Sequence, residues 1–261
     1  MGHDVADFNN DGLADFITVD MLPQDNYHRK KMAGPMNYNL FEYTLQQGYM
    51  PQYMRNTVQL NLGGINNQHP KFAEIGQLLG INATDWSWAP LIADFDNDGQ
   101  KDVFITNGYL RDITDLDFIN YTAGIGTSIS PDSLDAILRD KARQMPSIRL
   151  ANFLFKNQKG LQFENVSAIW GVEQPSLSNG AAYSDLDRDG DLDLVVNNIN
   201  EPAFIYKNQT NAIGTNNYLQ VQLVGSHQNT QGIGAKVVVY FLGQQQGITQ
   251  SVTRGYQSSV D

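Results

Sequence analysis

The chain has 261 residues, enough for one large domain or one and a half ordinary ones, and enough to bury a substantial core. Its 17 basic and 28 acidic residues leave a net charge of −11, which argues against a nucleic-acid groove or an anionic membrane surface, since both need clustered Lys and Arg. Cys is absent, which excludes disulfide frameworks, thiolate zinc sites and cysteine nucleophiles, and no apolar run approaches the ~18 residues that span a bilayer. The opening Met1-Gly2-His3-Asp4 has neither a basic nor an apolar leader region, so no signal peptide is expected on this chain.

In chain order, strand-like runs at His3–Ala6 and Phe16–Val19 flank the acidic stretch Asp7-Phe-Asn9-Asn-Asp11-Gly12-Leu-Ala-Asp15. After an insertion at about 21–55 come strands at Val58–Asn61 and Phe72–Ile75. The pattern then repeats: Leu91–Ala93, the acidic stretch Asp94-Phe-Asp96-Asn-Asp98-Gly99-Gln-Lys-Asp102, and Val103–Thr106. A second insertion at about 108–150 carries a helix with Ser130 as N-cap, Pro131 in its first turn, Leu134, Ile137 and Leu138 on one face, and Pro146 beyond its end. Strands Leu154–Asn157 and Phe163–Val166 follow, then Ala181–Ser184, a third acidic stretch Asp185-Leu-Asp187-Arg-Asp189-Gly190-Asp-Leu-Asp193, Leu194–Val196 and Ile205–Asn208.

The similarity between the second and third copies holds at a constant offset of 91 residues: Phe72 matches Phe163, Ile75 matches Val166, Leu79 matches Trp170 and Asp94 matches Asp185. From first Asp to third-strand Asn the copies run 54, 63 and 23 residues, so the first two carry insertions of 31 and 40 residues at one point of the unit. Four short strands per unit is the make-up of a propeller blade. Beyond Asn208 the repeat stops. Tyr218–Leu223 alternates with period two as a half-buried strand should, a Gly-rich turn at Gly232–Gly234 leads into Lys236–Leu242, and Thr249–Arg254 is expected as a third strand. The expected fold class is therefore all-β: a partial β-propeller over 1–210, then the start of a second all-β module over 211–261. The chain reads as a piece cut at both ends, since two blades and part of a third do not close a ring.

Oxygens at positions 1, 3, 5 and 9 of a loop curl around a hard cation, and Gly at position 6 permits the sharp turn. The candidate ligands are Asp7, Asn9, Asp11 and Asp15; Asp94, Asp96, Asp98 and Asp102; and Asp185, Asp187, Asp189 and Asp193. Position 7 adds a backbone carbonyl from Leu13, Gln100 or Asp191. All-oxygen ligation of this size favours Ca²⁺ over Mg²⁺, at about three sites. An EF-hand needs Glu at position 12, where Thr18, Ile105 and Val196 stand, and its flanks are helices. The bland alternative is a solvated acidic turn, which three copies in register argue against. These loops hold 12 of the 28 acidic residues, and three Ca²⁺ would change the net charge from −11 to −5.

These residues resemble the FG-GAP/VCBS repeats of integrin α-like β-propellers, in which such a loop joins the first two strands of a blade. From about 216 onward, Asn217-Tyr-Leu-Gln-Val-Gln-Leu-Val-Gly225, Gly232-Ile-Gly-Ala-Lys-Val and Arg254-Gly-Tyr-Gln-Ser258 look like the ASPIC/UnbV module. That module follows such propellers in cartilage-acidic-protein-like chains and in Bacteroidetes-type surface proteins. The segments Gln52-Tyr-Met-Arg-Asn56 and Asp85-Trp-Ser-Trp88 are similar to the bacterial branch. The resemblance implies an exported, extracellular or cell-surface protein and no known enzymatic activity; the expected partner is a macromolecular ligand, protein or glycan.

Other candidates have two readings each. Trp86, Trp88 and Trp170 are sugar-stacking platforms or packing aromatics. The four His (His3, His28, His69, His227) show no ligand spacing and read as solvated or capping residues. Asp112, Asp115 and Asp117 are an acid/base cluster or a solvated loop. The sequons at Asn82, Asn120, Asn165 and Asn208 arise by chance in an Asn-rich chain, and no G-x-S-x-G, P-loop or G-x-G-x-x-G is present. The insertions, with Tyr27, Tyr38, Phe41, Tyr43, Tyr49, Tyr53, Tyr109, Phe118 and Tyr121, form a recognition surface or cover an edge. Three functions follow: a calcium-stabilised binding scaffold, a polysaccharide lyase or hydrolase on the propeller face, and a structural spacer.

Overall fold

The computed structural model describes residues 1–261 apart from 33–37, 65–68, 126–129, 146, 160, 215, 242 and 261. The chain runs β1 (His3–Ala6), β2 (Asp15–Thr18), β3 (Met21–Leu22), α1 (Asn26–Lys31), α2 (Tyr38–Gln46), β4 (Thr57–Asn61) and β5 (Phe72–Glu74). It continues with β6 (Asp85–Ala93), β7 (Asp102–Asn107), α3 (Leu116–Gly124), α4 (Pro131–Gln144), β8 (Phe153–Asn157) and β9 (Phe163–Asn165). The last part holds β10 (Ser178–Ser184), β11 (Asp193–Asn198), β12 (Phe204–Tyr206), α5 (Thr210–Ile213), β13 (Lys236–Phe241), β14 (Gln244–Thr249), β15 (Thr253–Arg254) and β16 (Ser258–Ser259).

The fold is all-β, built from antiparallel meanders. The first sheet has the order β1-β2-β4-β5, the second β3-β6-β7-β8-β9, and the third β10-β11-β12. The second sheet thus gains β3, the start of the first insertion, through Met21↔Trp86 and Leu22↔Asp85. The first strands of the three meanders pack against one another, β1 on β6 and β6 on β10, as the inner strands of neighbouring blades do. The repeat extends to irregularities. The β6–β7 register shifts between Ser87 and Pro90, and the β10–β11 register shifts between Ser178 and Ala181, 91 residues on in both cases. A bulge lets Pro90, which has no N–H to donate, sit in an inner strand.

The second sheet is buried on both faces. Phe8, Ile17, Val19, Val58, Leu60 and Ile75 of the first unit pack against Ile92, Val103, Ile105 and Phe155. Leu91, Ala93, Phe104 and Leu154 face the other way, against Ala181, Tyr183, Leu194 and Val196 of the third. Consecutive residues of β6 and β7 therefore enter opposite cores, which is why those strands are continuously apolar and not alternating.

The helices belong to the insertions. α4 is capped by Ser130, whose Oγ accepts from Ser133 N, and Leu134, Ile137 and Leu138 are its half-buried face, as the spacing predicts. Pro146 lies outside the described residues. Two expectations are corrected. Tyr218–Leu223 has no strand, and Tyr218, Leu219 and Val221 are exposed: period two makes a strand only when a partner ladder exists, and none pairs with this segment among the described residues. Thr249–Arg254 is interrupted, because β14 ends at Thr249 and β15 begins only at Thr253. β13 ends at Phe241, and the expected last residue of that run, Leu242, lies outside the described residues.

Candidate functional site: three acidic loops

Each acidic stretch joins the first two strands of its meander, β1–β2, β6–β7 and β10–β11, and all three have one hydrogen-bond plan. The carboxylate at position 1 accepts from the backbone N–H groups of positions 5 and 6: Asp7 from Asp11 (3.1 Å) and Gly12 (2.8 Å), Asp94 from Asp98 (3.1 Å) and Gly99 (2.8 Å), and Asp185 from Asp189 (3.1 Å) and Gly190 (3.1 Å). Position 5 accepts from the N–H of position 7: Leu13 on Asp11, Gln100 on Asp98 and Asp191 on Asp189. The turn needs two left-handed residues, at position 4 (Asn10, Asn97, Arg188) and at Gly12, Gly99 and Gly190, whose φ values are 87°, 88° and 90°.

Positions 1, 3 and 5 converge. In the second loop Asp94, Asp96 and Asp98 each offer an oxygen within 4.8 Å of the others, and Asp185, Asp187 and Asp189 do the same in the third. In the first loop Asn9 donates its amide to Asp11 at 2.9 Å. The ninth Asp is turned elsewhere. Asp15, Asp102 and Asp193 each accept two backbone N–H bonds, one from position 2 (Phe8, Phe95, Leu186) and one from the third-strand Asn (Asn61, Asn157, Asn208), at 2.8–3.2 Å. These three side chains are buried and staple the loop to its own sheet.

The charges crowd. Burial pushes the Asp94 carboxyl up to about 6, and Asp98 and Asp96 add to the effect. Burial carries Asp15 to about 6 and Asp102 to about 8, against the pull of their N–H donors. Two lysines answer part of this. Lys156 contacts Asp96 and lies 3.0 Å from Asp98, and Lys207 contacts Asp187. In the third loop Asp191 is fully buried; its Oδ2 accepts from Asn211 N at 3.0 Å and its Oδ1 has no protein partner.

The loops are also tied to each other. Asn10 donates to the Gly99 carbonyl (2.8 Å) and Asn97 to the Gly190 carbonyl (3.1 Å). In return, Asn157 donates to the Phe8 carbonyl (2.9 Å) and Asn208 to the Phe95 carbonyl (2.6 Å). The position-4 Asn and the third-strand Asn, legible only as recurring residues, are thus the connectors between neighbouring units.

The remaining candidates resolve mostly into packing. Trp86 stacks on Tyr109 with centroids 4.5 Å apart, and Trp88 packs on Tyr256 and donates to the Gly108 carbonyl. Trp170 packs on the second core, with Lys156 over its ring. His28 departs from the solvated reading. Its Nδ1 is 2.9 Å from Asp85 Oδ2, and its Nε2 is 2.9 Å from Tyr109 Oη and 3.5 Å from Asp112 Oδ2. Asp112 is therefore buried in this cluster, while Asp115 caps α3 and pairs with Lys31, which also reaches Asp117. No spacing signal could have found His28, because its partners lie 57 and 84 residues away in sequence. In the insertions Tyr27, Tyr38, Tyr43, Tyr49, Tyr53 and Tyr121 are exposed.

Among the described residues, no helix is long and apolar enough to cross a membrane. Residues 225–261 match the family described as ASPIC and UnbV. Over 101 residues, 37% of this chain, the sequence is 36% identical to Cartilage acidic protein 1 of Mus musculus and covers 15% of it. It is 34% identical to Cartilage acidic protein 1 of Homo sapiens over 101 residues, covering 14% of that protein. The chain thus spans a small part of the relatives it matches, and its C-terminal end carries the ASPIC and UnbV signature.

Proposed function

We propose that this chain is a calcium-stabilised scaffold of an exported or cell-surface protein, with FG-GAP/VCBS-type blades over 1–210 and an ASPIC/UnbV-like module over 211–261. The observation that carries the reading is the convergence of Asp94, Asp96 and Asp98 in the second loop and of Asp185, Asp187 and Asp189 in the third, each within 4.8 Å, together with the orphaned buried oxygen of Asp191 in the third loop. Ca²⁺ takes six to eight oxygens in a flexible geometry, whereas Mg²⁺ demands a near-ideal octahedron and keeps several waters, so a loop that offers this many oxygens suits Ca²⁺. The donor set is all oxygen, which suits a hard cation. Asp15, Asp102 and Asp193 keep free lone pairs beside their N–H bonds, so the staple and a ligand role are compatible. Bound Ca²⁺ supplies positive charge where burial and neighbouring carboxylates disfavour the ionised form.

The recognition surface in this reading is the pair of insertions with their exposed tyrosines, offered to a protein or a glycan. The relatives are named for cartilage, and an extracellular setting, where Ca²⁺ is abundant, is the one we assign. The His28 cluster favours a structural role: hydrogen bonds to Asp112 and Asp85 raise the imidazole to about 10, so at neutral pH it carries its proton and has no lone pair to act as a base. The test is a Ca²⁺ titration by calorimetry with melting curves in Ca²⁺ and in chelator. About three sites and a rise in melting temperature are expected; no binding up to ~10 mM, above the weak range of extracellular modules, overturns the reading.

A further inference from the structure

We propose that the three acidic loops are the seat on which the C-terminal module docks, so that the cation they hold sets how firmly that module is held. This rests on the cation reading above and goes beyond it by naming what the loops control.

Every loop is met on its outer face by a residue from beyond the repeat. On the first, Lys236 donates to the Gly12 carbonyl at 2.7 Å and Gln245 to the Asn10 carbonyl at 3.3 Å. On the second, the Gln246 side chain lies against Gly99, and Asn216 donates to the Asp96 carbonyl at 2.9 Å. On the third, the Tyr218 ring covers Gly190, and Asn211 donates to the Asp189 carbonyl at 2.8 Å. A methyl group on Gly12 would come within 2.9 Å of Gln245 Nε2, and one on Gly99 or Gly190 would overlap Gln246 or Tyr218. Glycine at position 6 therefore serves the docking as well as the turn.

The groups addressed are mainly backbone carbonyls of positions 3 to 6 and bare α-carbons, joined by the Asp191 carboxylate of the third loop, which accepts from Asn211 N, and by the Asn97 amide of the second, which donates to Asn211 Oδ1 at 3.2 Å. The directions of those carbonyls follow from the left-handed turns at positions 4 and 6, so the module reads chiefly the loop's shape. Without a cation, the second and third loops have three converging carboxylates working against that shape, and a divalent ion reverses the sign of the interaction. Besides these loop contacts, the end of β14 is reached by Arg254, whose Nη2 donates to the Thr249 carbonyl at 3.4 Å. Tyr240, Phe241 and Ile248 are 75%, 71% and 56% exposed, so apolar burial contributes little to its placement. The Asn10–Gly99 and Asn97–Gly190 links spread the effect of one filled loop to the next. Coupling of this kind is reciprocal, so a seated module also tightens the cation.

The experiment is amide hydrogen exchange on the full chain in ~2 mM Ca²⁺ and in chelator, beside calorimetry, for the parent and for a Tyr218→Ala/Gln245→Ala/Gln246→Ala variant. The exchange of β10 and β11 serves as the folding control. In the parent, Ca²⁺ is expected to slow exchange across β13 and β14 about tenfold, within the usual range of such couplings. In the variant that protection is lost and Ca²⁺ binds several-fold more weakly. Calcium binding with unchanged exchange in β13 and β14 would overturn the docking proposal and leave the cation reading intact. Absence of calcium binding in both proteins overturns the cation control; faster β13–β14 exchange in the variant alone would then mark the loops as a cation-independent seat.

Discussion

The Arg254 guanidinium lies 2.9 Å from Asp4 Oδ1, with both side chains buried. The other oxygen of Asp4 accepts from Ile92 N at 2.7 Å. One carboxylate on the innermost strand of the first meander thus holds the second meander and the C-terminal module together. Burial raises the Asp4 carboxyl, and Arg254 and the N–H donors oppose that rise. A buried pair adds little net stability when intact, but losing one partner strands the other charge. Arg254→Met is therefore expected to lower the unfolding free energy by about 3 kcal/mol, and Asp4→Asn by a similar amount. The double variant should lose clearly less than the sum, as read from urea unfolding. Additive losses would show that the two side chains act independently.

The stapling role of the ninth Asp separates it from its neighbours in the loop. Asp102→Ala leaves the N–H groups of Phe95 and Asn157 without acceptors inside the structure, at about 1–3 kcal/mol each. In chelator this variant is expected to lose about 4 kcal/mol, whereas Asp96→Ala, which removes a partly exposed pair with Lys156, should lose under about 1 kcal/mol. Unfolding curves of both in chelator decide the point; equal losses would contradict the separation of roles.

The limits of what the sequence reveals follow from the same contacts. The loops and their flanking strands were legible because an Asp at every second position, a Gly at the sixth and a 91-residue offset are all local or periodic signals. The mid-strand bulges and the buried Ser87–Asn107 and Ser178–Asn198 bonds also recur at that offset. They were hidden because Ser and Asn ordinarily signal surface. Tyr218–Leu223 misled because alternation reports a pattern and not the presence of a partner strand. His28 and Arg254 were missed because their partners come from distant segments, and composition carries no trace of such a pairing.

The two lysines on the loops compensate a difference between copies. Position 3 is Asp96 or Asp187 where the third-strand residue is Lys156 or Lys207, and it is Asn9 where that residue is the buried Leu60. Each copy thus presents one and the same net charge from positions 1, 3, 5 and 9 with the third-strand residue. Affinity in such loops follows ligand charge count. Lys156→Met is expected to tighten Ca²⁺ at the second loop about tenfold at low ionic strength, less in high salt, while lowering the melting temperature in chelator. Calorimetry at two salt concentrations tests this; weaker binding in the variant would mean that Lys156 positions Asp96 and Asp98 for the cation.

The His28 cluster gives a pH dependence of fixed sign. Hydrogen bonds to Asp112 and Asp85, with their charges, raise the imidazole from 6.5 to about 10 against the effect of burial. The facing groups are Asp25 at the start of its own helix, Asp85 on β6, and Tyr109 and Asp112 in the second insertion, and Tyr109 is itself pushed up by burial and by these carboxylates. The folded state therefore holds its proton more tightly than the unfolded state, so the contribution is complete below pH 6.5 and is lost as pH rises through about 10. His28→Gln should melt several degrees below the parent at pH 6, roughly 2–4 °C per kcal/mol for a chain of this size. That gap should shrink through pH 8 and close above pH 10. Titration of Lys and Tyr residues outside this cluster is common to both proteins and cancels in the difference, and Tyr109, raised by burial and by Asp112 and Asp85, titrates above the window used. A gap that stays constant from pH 6 to 10.5 would show that His28 acts there by shape alone.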